Sequence, residues 1–76
     1  MNKQKRNKLE ESINYMTIAK NIIIEVKNKE EFDFDNLPEN LQYSRRGCDM
    51  EEKIDDMDEV IDTINEIISQ INDIKL

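Results

Sequence analysis

A seven-residue repeat of apolar residues between positions 54 and 74 constrains the fold more than any other feature of this sequence. The repeat has three rows, which are Ile54, Ile61 and Ile68 at heptad position a, Met57, Ile64 and Ile71 at d, and Val60, Ile67 and Ile74 at g. The a and d rows are typical of a coiled-coil helix. The g row is unusual, because g positions of two-stranded coiled coils are mostly charged. The pattern therefore predicts a helix whose apolar face is too wide for one neighbouring helix to cover.

The rest of the chain predicts a second long helix and a connector. The apolar stripe of this first helix comprises Leu9, Ile13, Met16, Ala19, Ile23 and Val26, widened by Tyr15, Ile18, Ile22 and Ile24. The only proline, Pro38, and the only glycine, Gly47, both lie between the two helical patterns, which makes a many-stranded fold improbable. We expect a single all-α domain, a helical hairpin over residues 1–76, with a helix at about 4–30, a connector at about 31–48 and a helix at about 49–75.

The connector carries its own local signals. Residues 38–43 are expected to form a short turn of helix after the proline. Phe32 and Phe34 alternate with acids, and we expect both side chains to cap the end of the core. The start of the second helix stays open, because Ser44 is a suitable N-cap for an early start and Asp49 begins a capping-box pattern for a later one.

Charge is divided unevenly between the two helices. Residues 1–29 carry seven bases and three acids, whereas residues 30–76 carry four bases and fifteen acids. An antiparallel hairpin places the basic helix beside the acidic one. Because an exposed ion pair contributes only about 0–1 kcal/mol, this asymmetry selects the orientation of the helices more than it stabilises them.

A hairpin covers the a and d rows of the second helix but leaves the g row in contact with water. Fully burying one such side chain is worth roughly 1.5–3 kcal/mol, and a core in a chain this short supplies only about 3–5 kcal/mol. We therefore expect the hairpins to dimerise into a four-helix bundle or to form a higher oligomer with all three rows in its core. The alternative is a monomer in which a mobile third segment covers the g row.

Composition excludes several kinds of site. The chain has no histidine and one cysteine, Cys48, so a structural zinc site, Cys–His or Ser–His catalysis and an intrachain disulfide cannot form. We expect a non-enzymatic protein without metal or cofactor, in a reducing compartment, with Cys48 a free and partly buried thiol. The net charge of −7 argues against direct nucleic-acid binding. No apolar run approaches the roughly 18 residues of a membrane span.

A polar cluster in the connector is suited to binding an anion. Its members are Asn36, Gln42, Tyr43, Ser44, Arg45 and Arg46. Two adjacent arginines at the start of an acidic helix oppose the helix dipole, yet guanidinium groups, a hydroxyl, free backbone N–H groups and a tyrosine ring suit a phosphate-bearing ligand. The alternative is structural, with the arginines paired to Glu39, Asp49 and Glu52 or to acids of a neighbouring chain.

Two charged surfaces have less specific interpretations. On the second helix, Asp55, Glu59, Asp62 and Glu66 form a row of carboxylates, which we expect to be solvated. The alternative is that this row mimics a nucleic-acid backbone and docks on a basic groove of another protein. The basic residues within 3–8 are expected to belong to a frayed terminus, and contact with phosphates or lipid headgroups is the alternative.

The connector also carries a recognisable motif. It consists of Asn36-Leu37-Pro38-Glu39-Asn40-Leu41-Gln42, Ser44, Arg46-Gly47, Met50-Glu51 and Ile54-Asp55. In this pattern the chain resembles small proteins encoded by bacteriophages and prophages. The resemblance covers about residues 36–62, and Arg45 and Cys48 lie where the pattern varies. It implies a viral accessory protein in the bacterial cytoplasm, of the kind that counters host defence.

These observations lead us to expect an oligomeric sponge whose connectors meet at subunit junctions and enclose a small anionic ligand of the nucleotide type. In this hypothesis Arg45 and Arg46 bind phosphate, Tyr43 stacks on a base, and Asn36, Gln42 and Ser44 recognise polar edges. Two alternatives stay open. One is an acidic inhibitor that binds a host defence protein by nucleic-acid mimicry, and the other is a structural or assembly protein of the phage.

Overall fold

The protein is a long antiparallel helical hairpin. A computed structural model describes residues 1–76. Its helices are α1 at Lys3–Asp35, α2 at Glu39–Gln42 and α3 at Arg45–Lys75. α1 and α3 pack along their lengths, and the molecule measures 58 × 15 × 12 Å. No strand is present, so the predicted all-α class is confirmed and the shape is that of the expected hairpin.

An asparagine lies at each end of α1. The Asn2 side-chain oxygen accepts a hydrogen bond from the Lys5 backbone N–H at 2.8 Å, which satisfies one free donor of the first turn. At the other end the Asn36 backbone N–H donates to the Phe32 carbonyl at 3.1 Å. The predicted end at about residue 30 is corrected to Asp35, because no glycine or proline interrupts the helix before Pro38.

The longer α1 changes the environment of the two phenylalanines. Phe32 lies on the outside of the helix with 68% of its surface exposed, so it does not cap the core as expected. Phe34 is half-buried and lies in a shallow depression with Ile54 of α3. Only one of the two aromatic rings therefore contributes to the end of the core.

α3 begins at the earlier of the two predicted positions. The Ser44 hydroxyl accepts a hydrogen bond from the Gly47 backbone N–H at 3.3 Å, and the Ser44 carbonyl accepts one from Cys48 at 2.9 Å. Ser44 also has the extended backbone that is usual for an N-cap. Asp49 lies inside the helix, so the predicted start at about residue 49 is corrected to Arg45.

Gly47 allows α2 to approach the first turn of α3 closely. A Cβ atom at this position would lie 2.2 Å from the Gln42 carbonyl oxygen and 2.7 Å from the Leu41 carbonyl oxygen. Both distances are far inside van der Waals contact, and both partners are backbone atoms. The position therefore requires glycine because of space, even though glycine weakens the interior of a helix by up to about 1 kcal/mol.

Three polar contacts fix the register of α1 against α3. The Lys75 ammonium donates to a Glu10 carboxylate oxygen, the Lys20 ammonium to the Asn65 side-chain oxygen at 3.0 Å, and the Lys27 ammonium to Asp58 Oδ1 at 2.6 Å. In each pair the two residue numbers sum to 85. The last residue of α3 therefore lies level with Glu10, and residues 3–8 of α1 extend beyond the end of α3.

The seam between the helices follows this register. On α1 it comprises Leu9, Ile13, Met16, Lys20, Ile23, Lys27, Glu30 and Phe34, and on α3 it comprises the a and d rows. Ile13 and Met50 are the only apolar residues that are fully buried, each with 8% of its surface exposed. The others in the seam are half-buried. A single hairpin therefore has a very small core.

Lys20 and Lys27 lie in the seam of α1, where the apolar pattern predicted Ala19 and Val26. Both keep their stems between the helices while the ammonium groups reach polar partners on α3. The hydrogen bond with Asp58 raises the pKa of Lys27 above its ordinary value of 10.5, against the lowering effect of partial burial. As a result Ala19 and Val26, predicted to lie in the stripe, are exposed.

Candidate functional site

Three of the six polar side chains predicted to bind a ligand stabilise the connector itself. The Asn36 side-chain amide donates to a backbone carbonyl of α1 at 2.7 Å, and the Gln42 amide donates to two backbone carbonyls at 3.3 Å. The Ser44 hydroxyl donates to the Leu41 carbonyl. Each of these contacts uses an N–H or O–H group that an anion would otherwise contact. They leave the arginines and Tyr43 as the free donors of the cluster.

Arg45 and Arg46 are exposed, and neither guanidinium takes part in an ion pair within the chain. The intrachain pairs expected as an alternative, with Glu39, Asp49 or Glu52, do not form. The first turn of α3 thus carries two cations that have no direct carboxylate partner within the chain. An approaching anion would meet them without first displacing a carboxylate.

The two arginines share a shallow depression of about 450 Å³ with four neighbours, namely Glu30, Asp49, Met50 and Lys53. We call it the connector depression. Three bases against two acids give it a net charge of +1 in a chain whose total is −7. Tyr43 does not line it and has 81% of its surface exposed, so its ring is free to stack on a ligand that extends out of the depression.

A second surface, which we call the apolar face, runs along one side of the hairpin. It consists of Tyr15, Ile18, Ile22 and Val26 of α1 and of Val60, Ile67 and Ile74 of α3. Their exposed fractions lie between 39% for Ile67 and 65% for Tyr15. Toward its connector end both helices line a groove of about 290 Å³ that has only apolar residues in its walls.

The predicted oligomer core is therefore split between two environments. The a and d rows of α3 are half-buried against α1, whereas the g row is exposed. This agrees with the expectation that one companion helix covers two rows and not three. In the α1 half of the apolar face, Tyr15, Ile18 and Ile22 were anticipated as a widening of the stripe and Val26 as a member of the stripe itself.

The acidic row of α3, formed by Asp55, Glu59, Asp62 and Glu66, is exposed along its whole length. None of its carboxylates forms an ion pair, and Asp58 is the only acid of α3 that does. The free surface of α3 therefore presents uncompensated negative charge.

The residues that precede the hairpin overlap form a third charged surface. We call residues 3–8 the basic overhang, because they include Lys3, Lys5, Arg6 and Lys8 and lie beyond the end of α3. They are helical rather than frayed, and only Lys8 pairs with an acid, Glu11, at 3.3 Å. No sequence pattern predicts this overhang, because it depends on the register of the two helices.

Two further expectations concern single groups. Cys48 is a free thiol, as expected, but it is exposed rather than partly buried. No group of three or more histidine, cysteine or carboxylate side chains has an arrangement that could hold a metal ion. None of the helices combines the length and the apolar character that crossing a membrane requires.

Comparison with other proteins adds no family to this description. No protein-family model matches the sequence, and the chain matches no curated protein and no solved structure.

Proposed function

We propose that this chain is a non-enzymatic binding protein that works as a homo-oligomer, with the apolar face as the contact between copies. The observation that carries the proposal is the exposure of seven large side chains on one side of a hairpin that buries only two apolar residues fully. Fully burying a side chain of this size is worth roughly 1.5–3 kcal/mol. About half of each remains exposed, and burying the exposed parts of all seven together exceeds what so small a core supplies. Two hairpins that join these faces form a four-helix bundle.

Native mass spectrometry of matched variants tests this contact. We expect a dimer or higher oligomer for the native chain and a monomer for an Ile67→Gln, Ile74→Gln variant, since polar amides on the g row lose the burial. Phe32→Gln is the control, because Phe32 is more exposed than either isoleucine but lies outside the apolar face. Loss of the oligomer in the control, or its survival in the double variant, would contradict the proposed contact.

The ligand in this proposal is a small anion of the nucleotide type that binds at the connector. Arg45 and Arg46 bind its phosphate and Tyr43 stacks on its base. Support comes from two guanidinium groups that lack ion pairs and from a largely exposed ring beside them. Asn36, Gln42 and Ser44 keep the connector in shape, and their part in recognition is indirect.

The resemblance of the connector to phage-encoded proteins gives this proposal its setting. A small accessory protein made in an infected bacterium would act in the bacterial cytoplasm and sequester a nucleotide signal of host defence. A sponge of this kind needs no catalytic group. It needs only affinity for the nucleotide and a high copy number.

Calorimetric titration against cyclic oligonucleotides and NAD-derived nucleotides tests the ligand. We expect binding of at least one of them, and its loss in an Arg45→Gln, Arg46→Gln variant. The control is Lys29→Gln, which removes an exposed base of α1 that lies outside the connector depression. If no nucleotide binds, or if the arginine variant binds as well as the native chain, the sponge is wrong.

A second candidate function rests on the acidic row. Its four exposed carboxylates lack ion pairs, and they could dock on the basic groove of a nucleic-acid-binding host defence protein. The experiment is a pull-down of such proteins at increasing salt concentration with the native chain and with an Asp55→Lys, Glu59→Lys, Asp62→Lys variant. Capture that is insensitive to both salt and charge reversal counts against this function.

A further inference from the structure

We infer that two copies of this chain pair through their apolar faces in antiparallel orientation, so that the basic overhang of each copy lies against the acidic connector end of the other. The inference rests on the proposed self-association and adds its geometry. The occupant of the apolar face is thus a second copy whose connector points the opposite way.

The apolar face lies near the middle of the hairpin. From the register, Ile74 lies level with residue 11 of α1 and Val60 level with residue 25. The face therefore occupies the levels from residue 11 to Val26 and is centred near residues 18 and 19. That point is close to the middle of α1, which spans Lys3–Asp35.

A two-fold axis through this centre, perpendicular to the helices, superimposes the two apolar faces and reverses the second copy. Residue n of α1 in one copy then lies at the same height along the bundle as residue 37 − n of α1 in the other copy. The basic overhang at 3–8 meets residues 29–34 of the second α1 and residues 51–56 of the second α3. The overhang, which has no neighbour in its own chain, gains one in the pair.

Charge distinguishes this orientation from the alternative. The overhang carries four bases and no acid, whereas the two segments that it meets carry seven acids and two bases, a net charge of −5. In a parallel pair, with the two-fold axis along the hairpin, each overhang meets the other overhang and each acidic end meets the other acidic end. Electrostatic complementarity therefore selects the antiparallel pair.

The antiparallel pair also separates the two connectors. They lie at opposite ends of the four-helix bundle, so two connectors of one dimer cannot enclose a common ligand as the sequence led us to expect. Each chain then carries its own connector site, and a dimer binds two ligands.

The single cysteine provides a direct test, because Cys48 is exposed and lies at the connector end. A nitroxide label on the native chain at this position reports the distance between copies by pulsed electron resonance. The antiparallel pair places the labels roughly 55 Å apart, at 1.5 Å of rise per residue. A parallel pair places them less than about 30 Å apart, because neighbouring helices in a bundle lie about 10 Å from each other.

The outcomes distinguish the orientation of the pair from self-association itself. A dimeric mass with the long distance supports the inference. A dimeric mass with the short distance overturns the orientation and leaves self-association standing. A monomeric mass without a dipolar signal overturns both.

A second test removes two positive charges from either end of the hairpin, and the two variants are expected to differ in the dissociation constant of the dimer. In the antiparallel pair, Lys5→Gln with Arg6→Gln raises the dissociation constant about tenfold, because two attractive charges are lost from each copy. Arg45→Gln with Arg46→Gln is the matched control and leaves the dissociation constant unchanged or lower. In a parallel pair the first variant would associate more tightly and the second more weakly, and that result would overturn the inference.

Discussion

At the scale of single residues, Gly47 and Ser44 determine how the chain turns from α2 into α3. Gly47 is surrounded by backbone atoms of α2, and Ser44 caps the first turn of α3 with its side chain. Neither role follows from residue type alone, since both depend on where α2 lies relative to α3. A substitution at each position tests its role, because the expected change in the free energy of unfolding has a clear sign.

Gly47→Ala is expected to destabilise the hairpin by about 1–3 kcal/mol, because the new methyl group overlaps backbone carbonyls that cannot move without displacing α2. Urea unfolding at equal chain concentration measures the change. At an ordinary exposed helical position the same substitution would stabilise by up to about 1 kcal/mol. A stabilised Gly47→Ala variant would contradict the packing of α2 on α3.

Ser44→Ala is expected to cost about 0.5–2 kcal/mol, the usual effect of losing a side-chain N-cap. Asp49→Ala is the comparison, because Asp49 was the other predicted start and lies inside the helix. Thermal unfolding followed by circular dichroism distinguishes the two. A larger loss for Asp49→Ala than for Ser44→Ala would mean that α3 begins later.

At the scale of elements, the heptad repeat was sufficient to predict the course of α3, because its three rows recur without interruption. α1 was harder to predict. Its true seam passes through Lys20 and Lys27, which the apolar stripe does not include. Their stems are partly buried, and their ammonium groups reach Asn65 and Asp58. Ala19 and Val26 were consequently assigned to the wrong side. No local pattern contains this information, because it depends on the opposite helix.

Local sequence patterns are also insufficient to predict which residues of the candidate site are free. The cluster at the connector was visible in the sequence, but hydrogen bonds to carbonyls three to eight residues earlier in the chain decide which of its members are free. Gln42 is an example, since one of its acceptors is a carbonyl of α1 eight residues earlier. The arginines form no ion pair although Glu30 and Asp49 line the same depression, and this again depends on tertiary structure.

The extended end of α1 gives a test at this scale. Phe32→Pro is expected to destabilise the hairpin by about 3 kcal/mol or more, because proline removes a helical hydrogen bond and clashes with the preceding turn. Phe32→Ala is the matched control and should have a small effect, since the ring is mostly exposed. If helical content by circular dichroism and the free energy of unfolding are the same in both variants, α1 ends before Phe32.

At the scale of the whole molecule, the hairpin is an elongated body with a basic end, an acidic end and an apolar side. Residues 1–29 have a net charge of +4 and residues 30–76 a net charge of −11. Within one chain this asymmetry favours the antiparallel orientation of the two long helices. Between copies it favours the antiparallel pair, in which the basic overhang meets the acidic segments. The same feature thus acts at both levels, and salt weakens it at both.

Self-association is the claim on which the proposed function and the antiparallel pair both depend. Sedimentation equilibrium of the native chain at micromolar concentration tests it most directly. We expect a mass at least twice the 9.1 kDa of one chain, with helical content that falls as dilution dissociates the oligomer. A stably folded species of 9.1 kDa throughout the dilution series would contradict the account.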